Sequence, residues 1–165
     1  MSAFIALLLL QAAPAGSQPP CAGPEYRQLD FWVGKWDVFP TGTDRLVAHS
    51  LIERLYDGCA IRENWMPLKK EGGGSLSGYD RKSGKWHQTW IDSSGSIVRF
   101  TGGRNGAEMV MEGLWPDLVA PGQDAIVRMT YSPLPDGSVR QLGLQSVDQG
   151  KTWQPSFDFS YRRAR

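Results

Sequence analysis

Hydrophobic and polar residues alternate along most of this chain, and glycine, proline and aspartate repeatedly cut the alternation. Period-2 patterning puts successive side chains on opposite faces of a strand, so each run predicts a strand with one buried face. Ten runs qualify: residues 32–38, 47–56, 59–66, 75–80, 85–92, 96–101, 108–114, 124–131, 138–146 and 156–163. Turn chemistry separates them. Asp57-Gly58 reads as a two-residue hairpin loop, Lys82-Ser83-Gly84 and Pro135-Asp136-Gly137 as tight turns, and residues 115–123, with two prolines, as a longer loop. Residues 24–31 read as one short helical turn opening on Pro24. No run of helical period is long enough for a crossover, which excludes parallel pairing. The expected fold is therefore all-β: an up-and-down antiparallel β-barrel of about ten strands, with a short N-terminal helical turn. A sandwich is the alternative, but it needs longer connections than most of those present.

A chain of 165 residues fits one domain with a sizeable core. Its 18 basic and 17 acidic residues leave a net charge of +1 with no basic run, which argues against a nucleic-acid surface or a polybasic membrane contact. The N-terminus reads separately. Residues 3–10 are continuously apolar, far short of the roughly 20 that span a bilayer. Ala13-Pro14-Ala15 then offers a signal-peptidase pattern, although no Lys or Arg precedes the apolar run. The expected organisation is a signal peptide over 1–15, a linker over 16–23 and a barrel domain over 24–165, in a periplasmic or secreted protein with no integral membrane segment after cleavage. Cys21 and Cys59 are the only cysteines, and in an oxidising compartment they predict one disulfide tying the mature N-terminus to the third strand. Gln18-Pro19-Pro20 lacks the small and apolar residues of a lipid-attachment site before Cys21.

Gly34 and Trp36 form a Gly-x-Trp element on the first strand, just after the helical turn. It resembles the lipocalin and calycin signature, which implies that Gly34 would permit close backbone approach and Trp36 would fill the closed end of the barrel. Ser146, Asp148, Gly150 and Trp153 lie in a run like the Asp box of sialidases. One copy cannot make a propeller, so it reads as a hairpin staple: Asp bonds its own turn, Gly takes positive φ, and Trp packs across. Together with Asp30-Phe31-Trp32, Gly58-Cys59, Glu63-Asn64-Trp65 and the run from Trp86 to Asp92, these motifs resemble the domain-of-unknown-function family 1579 over nearly all of the mature chain. The resemblance implies a lipocalin-like, often exported barrel and no established activity. It also implies that an arginine of the last strand lies across Trp36. Phe157, Phe159, Tyr161 and Arg163 alternate there, which selects Arg163, with Arg162 as the rival if the strand bulges.

Candidate site chemistry sits on two strands. Trp86, Gln88, Trp90 and Asp92 share one face, as do Ile61, Glu63 and Trp65. The tryptophans make these faces the inner ones, so Glu63, Gln88 and Asp92 point into the barrel. A buried carboxylate must be paired or protonated. Convergent polar groups in an apolar cavity are how ligand sites look. The expected ligand set is Glu63, Trp65, Gln88, Trp90 and Asp92, with Tyr79 and Met129 as further members, around a small, partly apolar molecule. Two alternatives stand beside it. One is a structural network with Arg99 or Arg140 as counter-ion, in a self-filled barrel serving as an interaction module. The other is a hydrolase or isomerase using Glu63 and Asp92 as acid and base. His49 and His87 share no metal-ligand spacing, His87 faces outward, and no histidine follows it, so neither metal nor haem is expected and no cofactor is implied. Cavity volume separates a ligand site from a self-filled barrel.

Overall fold

The computed structural model describes residues 19–70 and 72–165. The signal peptide expected over 1–15 and the first three residues of the linker lie outside the described residues. The described chain forms a closed barrel of ten antiparallel strands in which each strand pairs with its sequence neighbours and β1 closes on β10. The strands are β1 (Gly34–Pro40), β2 (Ala48–Leu55), β3 (Ala60–Pro67), β4 (Gly73–Asp80), β5 (Lys85–Asp92), β6 (Ile97–Asn105), β7 (Glu108–Ala120), β8 (Gln123–Pro133), β9 (Val139–Ser146) and β10 (Gln154–Arg163). Closure pairs every inner strand edge, so no edge remains open to other chains. No helix among the described residues is long and apolar enough to cross a membrane.

Two 3-10 turns, Pro24–Arg27 and Asp30–Trp32, precede β1 where one helical turn was expected. They plug one end of the barrel. Leu29 and Trp32 are fully buried, Tyr26 packs edge-on against Tyr79 at 5.4 Å, and Trp32 lies 4.8 Å from Tyr131. Trp32 therefore belongs to the plug and not to the first strand, which starts at Gly34. The indole of Trp36 donates to the Trp32 carbonyl at 2.8 Å. The Arg163 guanidinium stacks 3.9 Å over the Trp36 ring and donates to the Val33 carbonyl at 2.8 Å. Gly34 makes room for it. A Cβ there would lie 1.8 Å from the Arg163 guanidinium, and its φ of +148° disfavours any other residue. Arg162 instead points outward to Asp44. A disulfide joins Cys21 to Cys59, with Cα atoms 5.0 Å apart, and fastens the plug to the turn before β3.

Three sequence expectations shift. The Asp57-Gly58 connection is a 3-10 turn (Tyr56–Gly58) inside a four-residue loop, because β2 and β3 pair as Leu55 with Ala60. Tyr56 and Asp57 both take positive φ there. The glycine-rich stretch 102–106, which the sequence reads as a turn, instead continues β6 as far as Asn105. The loop expected over 115–123 is largely strand. β7 runs on to Ala120; Pro116 stands where the pairing slips between Trp115 and Ala120, and Pro121 lies in the turn before β8, so neither removes a ladder bond that the sheet needs.

Candidate functional site

The opposite end of the barrel is open. There the ends of β1, β3 and β5 meet the starts of β2 and β4 around a vestibule of about 840 Å³. Below it lies an inner chamber of about 280 Å³. Trp65, Trp90 and Phe159 line both, so the two adjoin at these rings. The chamber wall is mostly aromatic: Phe100, Trp115 and Phe157 join the shared three, and Met129 fills one side. Gly143 lets the Phe157 ring lie flat against β9, because a Cβ there would meet that ring at 2.4 Å.

Strand phase explains the polar groups. The alternation of β3 turns Ile61, Glu63 and Trp65 inward, and that of β5 does the same for Trp86, Gln88 and Trp90. The inward polar side chains form a ring of hydrogen bonds across six strands. Ser75 Oγ donates to Glu63 Oε2 at 3.2 Å, and Gln88 Nε2 donates to Ser75 and Ser77 at 3.2 and 3.1 Å. The Tyr131 hydroxyl reaches Gln88 Oε1 at 3.5 Å, and Gln141 Nε2 donates to Tyr131 at 3.2 Å. The Tyr161 hydroxyl donates to Gln141 Oε1 at 2.7 Å and lies 3.4 Å from Glu63 Oε1, which closes the ring. Ser50 donates to the same carboxylate oxygen at 3.2 Å.

Glu63 is 5% exposed, and every group bonded to it is neutral. Burial pushes its carboxyl up to about 7, against the pull of hydrogen bonds from Ser50, Ser75 and Tyr161. The Tyr131 and Tyr161 hydroxyls are also held well above their ordinary range, first by burial and then by the nearby Glu63 charge. Neither arginine considered as counter-ion is one. Arg140 binds Asp158 on the barrel's flank, at 2.9 and 2.6 Å, and Arg99 is exposed on β6.

The expected site residues therefore divide. Glu63, Trp65, Gln88, Trp90 and Met129 line the chamber. Asp92 shares their face but stands at the rim and lines only the vestibule. There it accepts from Trp90 Nε1 at 3.0 Å and from the Ser94 amide at 2.9 Å. Partial burial opposes ionisation of Asp92, but the bonds from Ser94 and Trp90 outweigh it and hold the carboxyl below its usual range. The two carboxylates thus line different spaces, Glu63 the chamber and Asp92 the vestibule. Tyr79 does not line the chamber: β4 descends to the closed end, and Tyr79 packs there against Tyr26 and Trp86. Ser50, Ser75, Ser77, Tyr131 and Gln141 were not singled out from the sequence, although each lies at an inward position of its strand's alternation.

The chain matches the family described as Protein of unknown function (DUF1579) over residues 22–163. It belongs to that family. A search of curated proteins finds no match to the chain. The family's description assigns no activity, so a functional reading must come from the side chains. The Asp148 hairpin is one family motif that the geometry accounts for locally. Its carboxylate accepts from the Thr152 amide and hydroxyl and from Ser146, which together hold it at about 2. Gly150 takes φ +84°, and the Trp153 indole donates to the Gly150 carbonyl at 3.0 Å under the Arg128 guanidinium. These bonds are all spent within the hairpin, so it is a staple. No group of three or more His, Cys, Asp or Glu among the described residues is placed to hold a metal ion.

Proposed function

We propose that this chain is an exported binding protein that takes a small, largely apolar molecule into the inner chamber. The observation that carries this is an inner chamber of about 280 Å³ adjoining a vestibule of about 840 Å³, walled by aromatic rings around one ring of polar groups. Ligand sites are apolar clefts with a few convergent polar groups that fix orientation, and this cavity has that composition. Its inner volume lies just under the usual range for drug-sized ligands, so the molecule is small: about one aromatic ring with a short substituent. The Cys21–Cys59 disulfide supports residence in an oxidising compartment, the periplasm or the exterior. The self-filled barrel is the weaker reading because the inward side chains leave a chamber of about 280 Å³ between them.

Native mass spectrometry of protein isolated from its own host's envelope tests the proposal. The expected result is a non-covalent adduct that collisional activation removes. A bare protein mass, together with no response of tryptophan emission to any small aromatic probe, would leave the barrel a scaffold.

A further inference from the structure

We propose that the chamber's ligand is a protonated amine, held between the Glu63 carboxylate and the aromatic walls. This rests on reading the chamber as a ligand site. Glu63 is the single charged residue among those lining the chamber. Its partners Ser50, Ser75 and Tyr161 satisfy its oxygens without neutralising its charge. A buried carboxylate without a cation is costly, and the empty protein relieves that cost by holding a proton. An ammonium group entering the chamber would supply the missing positive charge directly.

The walls make the same selection. Trp65, Trp90 and Trp115 line the same chamber as Glu63, and indole rings attract cations by their quadrupoles. Gln88 Oε1 offers a further acceptor, because its bond from Tyr131 is long at 3.5 Å. A carboxylate ligand would meet the opposite conditions, a like charge and electron-rich rings. Arg45, Lys69 and Lys70 at the vestibule are solvent-exposed, and salt screens exposed charges beyond about 8 Å, so they govern the outer end of a ligand and not its buried end. Titratable groups facing Glu63 from other strands are Tyr131 and Tyr161, both raised and therefore neutral, which leaves Glu63 alone to answer the amine.

Calorimetric titration of the full protein with phenethylamine, phenethyl alcohol and phenylpropanoate tests the assignment, because the three share a ring and differ in charge. The amine should bind about ten-fold or more tighter than the alcohol, and the carboxylate should not bind. At about pH 6 amine binding should release a proton from Glu63, read from the heat in buffers of different ionisation enthalpy. Glu63→Gln should abolish the amine preference and the proton release while keeping alcohol binding. Trp65→Leu should weaken the amine more than the alcohol. Equal binding of amine and alcohol, or an amine preference that survives in Glu63→Gln, overturns the amine assignment and leaves the ligand site standing. Tightest binding by the carboxylate does the same. No binding by any of the three overturns both readings.

Discussion

The two ends of the barrel treat charge in opposite ways. At the closed end Arg163 enters from β10, and its guanidinium meets the Val33 carbonyl and the Trp36 face. Arg163 is exposed, so solvent and these groups of the chain together answer its charge. In the chamber Glu63 meets two serines and a tyrosine, none of which carries positive charge. The first arrangement is complete and belongs to folding. The second is incomplete in charge while nearly complete in hydrogen bonds, which is the form a site takes when something from outside supplies the remainder.

The largest effect expected from disturbing this contrast lies at the closed end. Replacing both Cys21 and Cys59 by serine frees a loop spanning a sequence separation of 38 residues, and chain entropy sets the loss at about 4 kcal/mol. Urea unfolding of oxidised protein measures it. The chamber should be affected little, because the bridge fastens the plug and not the open end.

Next comes the pH dependence of Glu63. Its carboxyl titrates near 7 in the folded chain against an ordinary value of 4.5, so the folded state holds the proton more tightly. Between those values the folded chain binds more protons than the unfolded one, and stability falls as pH rises from about 4.5 to about 7. The loss is on the order of 3 kcal/mol and persists at higher pH. Glu63→Gln should remove that slope, so unfolding free energies of the two proteins should converge near pH 5 and diverge in the variant's favour near pH 8, both values being about the ends of the transition. Parallel curves would show that the charge is compensated after all, and the contrast between the ends would disappear.

The smallest effect tests how closely the closed end is fitted. Arg163→Lys loses the planar fork that reaches Val33 while stacking on Trp36, and should cost about 1 kcal/mol. Gly34→Ala should cost somewhat more, about 2 kcal/mol, through positive φ and displacement of the guanidinium. Combined, the two should cost less than their sum, because they act on one contact. Full additivity in unfolding experiments would separate Gly34 from Arg163.

Much of this was legible in the chain. Period-2 alternation turned Glu63, Trp65, Gln88 and Trp90 to the inner face because a strand allows only two faces. The same pattern was silent about height along the barrel. Tyr79 and Asp92 both face inward, yet β4 carries Tyr79 down into the plug and β5 carries Asp92 up to the rim. The ring partners were hidden for another reason. Ser75, Ser77 and Gln141 look like surface residues in isolation, and only closure of the sheet brings them beside Glu63. The β7–β8 extension was misread because its two prolines signal a loop, whereas Pro116 stands at a slip in pairing that depends on the partner strand and only Pro121 lies in a turn.

The central claim is that the chamber is a space for a ligand, and the side-chain amides of Gln88 and Gln141 stand inside it as reporters. Nuclear magnetic resonance of isotope-labelled protein titrated with unlabelled indole follows them directly. Saturable shifts of both amide signals are expected in the native chain, and their loss is expected in Met129→Trp, whose larger side chain fills the chamber. Shifts confined to residues of the vestibule, or none in either protein, would contradict the claim.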